Sequence, residues 1–228
     1  CENCFTFQLL DQPDPNQMFH SNYAFFSGTS SYMKHHFVNF SNFIIDNFNI
    51  NENSFVVEIG SNDGILIENF KNKNIPHLGV EPSKNVFDIA IKKNINCVNS
   101  FFNDEVAKKI VSKNGKADIF MAANVMCHIP KFNSIVEGID ILLKDTGVVI
   151  FEEPYLGDVI SKLSFDQIYD EHTFLFSLHS VSKIFSKYNF ELIDAIPQNT
   201  HGGSMRYILA RKGKFKSSEK LNKNLLNE

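Results

Sequence analysis

The residues most suited to chemistry sit in one short block, Tyr169-Asp170-Glu171-His172. Imidazole titrates near neutral pH, which makes His172 the candidate base. Glu171, or a neighbouring carboxylate, is placed to orient it and hold the useful tautomer, and Tyr169 is a hydrogen-bond donor and the fallback base. Phe165, Ile168, Phe174, Leu175 and Phe176 interleave apolar side chains with these polar ones. Two further constellations follow the same logic. Asn124-Val125-Met126-Cys127-His128 ends an apolar run, so Asn124 can offer an amide and His128 an imidazole to a ligand bound at a strand end. His201 and Arg206 flank a Gly-Gly turn and suit a clamp on anionic oxygens. His20, His35 and His36 read as surface residues, and His77 and His179 carry no assigned role.

Positioning such groups calls for a rigid frame. Residues 30–48 carry apolar side chains at helical intervals. Short β-branched or aromatic runs follow at 55–59, 77–81, 95–98, 117–122 and 147–152, separated by amphipathic stretches at 64–71, 83–93, 104–112 and 132–143. This alternation predicts an α/β fold, a mostly parallel sheet with helices on both faces. Runs at 190–196 and 205–210 predict an antiparallel hairpin at one sheet edge.

The turn after the first strand reads Glu58-Ile59-Gly60-Ser61-Asn62-Asp63-Gly64. Its spacing is not the G-x-G-x-x-G of a dinucleotide site, which disfavours a nicotinamide dehydrogenase. Gly60 and Gly64 admit a ligand close to the backbone. Glu58 and Asp63 offer acceptors for an ammonium, directly or through water, with Ser61 and Asn62 between them. The next strand ends at Glu81-Pro82, twenty-one residues after Gly60, where a carboxylate can accept from both hydroxyls of a ribose. A ribose and an amino-acid end together describe S-adenosylmethionine, and the frame is then a Rossmann-like class I methyltransferase.

Against that frame the chain resembles the sugar C-methyltransferases that act on nucleoside-diphosphate-linked keto-sugars. The matching blocks are Glu58–Gly64, Asn124–Pro130, Glu153-Pro154-Tyr155, Phe165–His172 and His201–Arg206, covering about 20 to 210. The resemblance implies C-methylation through an enolate formed by the His172 base, with Tyr169 serving the sugar or the enolate oxygen. It also implies sugar-nucleotide contacts from Tyr23, Tyr155, His201 and Arg206. Asp170 stands where relatives often carry His, and Phe25 where a second hydroxyl would stand. The alternatives are an O- or N-methyltransferase on another small acceptor, or a non-catalytic fragment that binds the donor or a nucleotide sugar.

Cys1 and Cys4 form a C-x-x-C pair, half of a tetrahedral zinc site. Cys97 and Cys127 lie in apolar stretches and read as core. The resemblance places a zinc-bearing module before the methyltransferase core and an α/β domain after it. The expected division is therefore 1–28 as a remnant of that module, 29–211 as the methyltransferase domain, and 212–228 as a tail or the start of a further domain. A net charge of −4, with lysines scattered among acids, argues against nucleic acid as a partner. No run is apolar enough to span a bilayer and no basic-then-apolar leader is visible, so the cytoplasm is the expected compartment. A small molecule is the expected partner; the oligomeric state is open, a monomer included.

Overall fold

The computed structural model describes residues 1–228. The N-terminal stretch supplies the two-residue strand β1 (Phe7–Gln8) and a single helical turn, α1 (Pro15–Met18). Asp14 caps α1 by accepting from the Asn16 amide, with Pro15 at the first helical position, where its missing N–H costs nothing. Helix α2 (Ser31–Phe48) is capped by the Ser30 hydroxyl and ended by Asn49 in the left-handed conformation.

The predicted alternation follows: β2 (Val56–Ile59), α3 (Glu68–Lys71), β3 (His77–Val80), α4 (Lys84–Lys92), β4 (Cys97–Val98), α5 (Asp104–Asn114), β5 (Ala117–Ala123), α6 (Phe132–Leu142) and β6 (Leu143–Pro154). Then come α7 (Leu156–Ser161), β7 (Phe174–Leu175), α8 (Leu178–Ser186), the hairpin β8 (Phe190–Gln198) and β9 (Ser204–Arg211), and helix α9 (Glu219–Asn227). The main sheet has the order β4-β3-β2-β5-β6-β9-β8. It is parallel from β4 to β6, and β9 and β8 add antiparallel at one edge. A small second sheet pairs β1 with β7.

Period-two alternation sends neighbouring side chains to opposite faces. Val57, Ile59, Phe120, Val149 and Phe151 join a cluster of 35 buried residues with α5, α6 and α8. Val56, Ile119, Met121 and Ile150 join one of 19 against α2. Phe151 stacks on Tyr207 at 4.9 Å between ring centroids, tying the hairpin to the parallel half. In the segment 212–228, α9 packs Leu221 into the larger cluster, and the Glu228 carboxylate accepts from the Leu178 and His179 amides. No helix is long and apolar enough to cross a membrane.

The strand order reverses between β2 and β5. Ligands of open α/β sheets bind at such a switch point, beyond the carboxyl ends of the strands. The candidate groups converge there.

Candidate functional site

The glycine turn departs from its predicted job in an instructive way. Gly60 has φ +59°, and a Cβ on it would stand 2.3 Å from a Val125 methyl, so both the conformation and the closeness demand glycine. The acids beside it lie outside the cavity wall. Glu58 lies on the inner side of the sheet, where its carboxylate accepts from the Ile67 amide and burial pushes it well above the usual carboxylate range. Asp63 accepts from the Gly28 amide at 3.1 Å and lies 3.5 Å from the Lys93 ammonium. Asn62 accepts from the Ser27 amide at 3.0 Å and donates to the Phe25 carbonyl at 3.1 Å. Neither Glu58 nor Asp63 lines the cavity: they brace the turn, Asp63 with Asn62 pins the segment 25–28 across it, and Glu58 Oε2 and Asp63 Oδ1 are buried without a partner. Ser61 is buried beside Cys97, and Gly64 packs against Ile95.

What this bracing encloses is a cavity of about 510 Å³, within the usual range for small-molecule sites. Gly60, Asn62, Glu81, Pro82, Asn124 and His128 contribute to its wall, and Tyr23 and Phe25 cover it from the N-terminal segment. Each Glu81 oxygen accepts one backbone N–H at 2.8 Å, from Ser83 and from Asn62, leaving further lone pairs for a diol. Burial raises the Glu81 carboxyl above its ordinary value, and those two bonds oppose the rise. Asn124 adopts φ +54°, and its buried side-chain Oδ1 has no partner. A buried unpaired acceptor is costly unless a ligand completes it. Asn124 thus offers an unpaired acceptor in the cavity wall, on the same wall as the Glu81 carboxylate.

At the far end of the cavity stands His128, whose Nδ1–H donates to the Glu171 carbonyl at 2.6 Å. Its ring lies 5.2 Å from that of His172. His172 Nδ1–H donates to the Gln167 carbonyl at 2.7 Å, which leaves Nε2 as an acceptor, and the Tyr169 hydroxyl donates to it at 3.0 Å. The orienting group for His172 is thus the Gln167 carbonyl and not a carboxylate; Glu171 acts through its own carbonyl, on His128. Burial, then the neighbouring His128, lowers His172 to about 4, so it is neutral at pH 7. Burial and the Glu171 charge push the Tyr169 phenol up to about 12. Neither Tyr169 nor His172 lines the cavity; they stand just beyond His128.

The remaining candidates divide. Tyr23 and His201 line the cavity. Tyr155 does not, and its hydroxyl donates to Glu228 at 2.7 Å. Arg206 is buried, donates from Nε to Glu152 at 2.7 Å and covers the Phe40 ring at 4.0 Å. It is no free clamp for a diphosphate. The same Glu152 takes His36 Nε2 at 2.6 Å, so His36 is a half-buried partner of the core rather than a surface residue. The Cys4 thiol lies 3.1 Å from the Thr6 hydroxyl, and Cys1 is exposed. Sequence reasoning missed Phe19, Phe101 and Val125 in the cavity wall. Phe101 lies three residues beyond the end of β4, in the loop past a strand's carboxyl end, the same region that identified Glu81.

A doubly covered, mostly parallel sheet with its antiparallel edge and this switch-point cavity defines a Rossmann-like methyltransferase domain. Residues 32–195 match the methyltransferase domain family, and the chain belongs to that family. It is 26% identical over 205 residues to the C-methyltransferase NovU of Streptomyces niveus, an alignment covering 90% of this chain and 49% of that protein. The chain therefore spans about half the length of this curated relative. Among solved structures it is similar to the PH0226 protein of Pyrococcus horikoshii OT3, with a TM-score of 0.63, 13% identity, and 82% and 94% of the two chains covered. It is also similar to magnesium protoporphyrin IX methyltransferase from Synechocystis PCC 6803 with bound S-adenosylhomocysteine, with a TM-score of 0.60, 14% identity, and 78% and 83% covered.

Proposed function

We propose that the chain transfers the methyl group of S-adenosylmethionine to a carbon of a nucleotide-linked keto-sugar. The observation carrying the reading is the pairing of a ligand-ready wall (Gly60, Glu81, Asn124) with a neutral histidine whose acceptor nitrogen is aimed by backbone, one ring beyond His128. The match to a C-methyltransferase supports carbon as the acceptor, as do the sequence blocks around His172 and His201.

When bound, the donor supplies an electrophilic methyl group on a sulfonium. Glu81 accepts from the ribose hydroxyls, and Asn124 Oδ1 from the ammonium. Tyr23, Phe25 and Phe19 exclude water from that end of the cavity. Beside a sugar ketone, His172 Nε2 accepts the proton from the neighbouring carbon once the substrate displaces the Tyr169 hydroxyl, and Tyr169 then donates to the enolate oxygen. His128 separates this pair from the donor cavity, where the reacting carbon must lie. A positioned base contributes about 10²–10⁴-fold.

Solvent-deuterium exchange into the keto-sugar, with S-adenosylhomocysteine bound, tests the base separately from transfer. Exchange that is lost in His172→Ala, with product binding retained, is the expected result. Absence of exchange and of C-methyl product in the unaltered chain excludes the mechanism. No heat on titration with S-adenosylhomocysteine excludes the donor.

A further inference from the structure

We propose that Cys127, His128 and His172 form a binding site for a thiophilic divalent cation such as Zn²⁺, in which coordination takes the lone pair of His172 Nε2. All three are buried, and one ligand atom from each lies within 4.8 Å of the others. Each imidazole donates Nδ1–H to a backbone carbonyl, Glu171 for His128 and Gln167 for His172, the tautomer that puts the lone pair on Nε2. Metal-ligating histidines are held by such outer hydrogen bonds. The Tyr169 hydroxyl, 3.0 Å from His172 Nε2, holds that lone pair in the free chain and gives way to the cation on binding.

Beside the Cys127 thiol lies the Glu153 carboxylate, fully buried, with Oε1 accepting the Val125 and Met126 amides and Oε2 unpartnered. Binding breaks the Cys127 S–H bond and forms a sulfur–metal bond, and the proton is released to the buffer. The thiolate then supplies one of the two negative charges that a buried divalent cation calls for. Tetrahedral Zn²⁺ with bonds of about 2.0–2.3 Å requires the ligand atoms to close by roughly 1 to 1.5 Å at most.

The site stands on this geometry; its effect on turnover rests on His172 as the base. Co²⁺ is the probe, in chain carrying Cys1→Ser and Cys4→Ser so that the terminal thiols do not contribute. The expected result is a one-to-one titration with tetrahedral ligand-field bands and a sulfur-to-cobalt charge-transfer band. Adding Cys127→Ala removes the charge-transfer band, and His128→Gln and His172→Gln each weaken binding by about 10-fold or more. No charge-transfer band in the parent chain, or a band that survives Cys127→Ala, overturns the site. So does unchanged affinity in both histidine variants with their thermal transitions intact. Zn²⁺ at saturation is expected to suppress deuterium exchange about 10-fold or more while S-adenosylhomocysteine affinity holds. Cobalt binding with exchange untouched keeps the metal site and removes His172 as the base.

Discussion

The pH dependence of turnover is a sharp consequence of how His172 is held. An ordinary imidazole titrates near 6.5, but burial, reinforced by the adjacent His128, lowers this one to about 4. A base must be unprotonated to act. At pH 5.5 an ordinary histidine would be only about 9% neutral, whereas one at about 4 is about 97% neutral. The acid limb of kcat/KM, which reports the free enzyme, is therefore expected to stay flat from pH 7 down to about 5.5 and to reach half its plateau near 4. The assay is initial-rate methyl transfer or deuterium exchange across a buffer series, with the thermal transition recorded at each pH so that unfolding is not mistaken for protonation. His128→Asn removes the second cause of the shift and should move the half-point upward. A half-point near 6.5 in the unaltered chain, roughly a 10-fold loss at pH 5.5, would refute either the burial of this imidazole or its role as the base.

Three further outcomes follow from the same contacts. Glu81→Gln keeps one backbone acceptor but loses the charged one, so S-adenosylhomocysteine affinity should fall about 10-fold by calorimetry, and an unchanged value removes Glu81 from the site. Arg206→Ala strips the buried Glu152 of its guanidinium and should cost about 3–5 kcal/mol in chemical denaturation, a stability defect rather than a KM defect. Glu153, fully buried and raised to about 7 chiefly by burial, binds its proton more tightly folded than unfolded. Its contribution is present below pH 4.5 and lost as pH rises through about 7, on the order of 3 kcal/mol; Glu153→Gln should flatten that decline between pH 5 and 8, and a parallel decline would remove Glu153 as its source.

The parallel sheet and its hairpin were legible because each strand announces itself by a run of β-branched or aromatic residues, and the helices between them by amphipathic spacing. Strand-end acids and turn glycines were legible for the same reason: topology places them. Side-chain direction was not. Glu58 alternates with Val57 and Ile59 in β2, and the pleat turns its carboxylate inward beneath Ile67, away from the cavity. Arg206 pairs across strands with Glu152, a register that appears only when β6 and β9 are laid side by side. The two-residue strands β1 and β7 carry no periodic signal and pair across more than 160 residues. The backbone carbonyls that fix His128 and His172 have no residue identity to read at all.

The braced turn also explains why one polar loop serves two masters. Asn62 and Asp63 spend their side chains on the amides of Ser27 and Gly28 and the carbonyl of Phe25. Those bonds hold Phe25 and Tyr23 over a cavity whose floor is the backbone of the same turn. A glycine at 60 is then needed because Val125 closes in from β5's end, and Val125 is drawn there by the Glu153 carboxylate accepting its amide at 2.9 Å. The same carboxylate accepts the next amide, Met126, at 2.6 Å, and so sets the turn that carries Cys127 and His128. Donor wall and candidate base are thus coupled through one buried acid. A change at Glu153 should register at both ends of the cavity, in S-adenosylhomocysteine affinity and in exchange together, whereas a change at Glu81 should register only in the first.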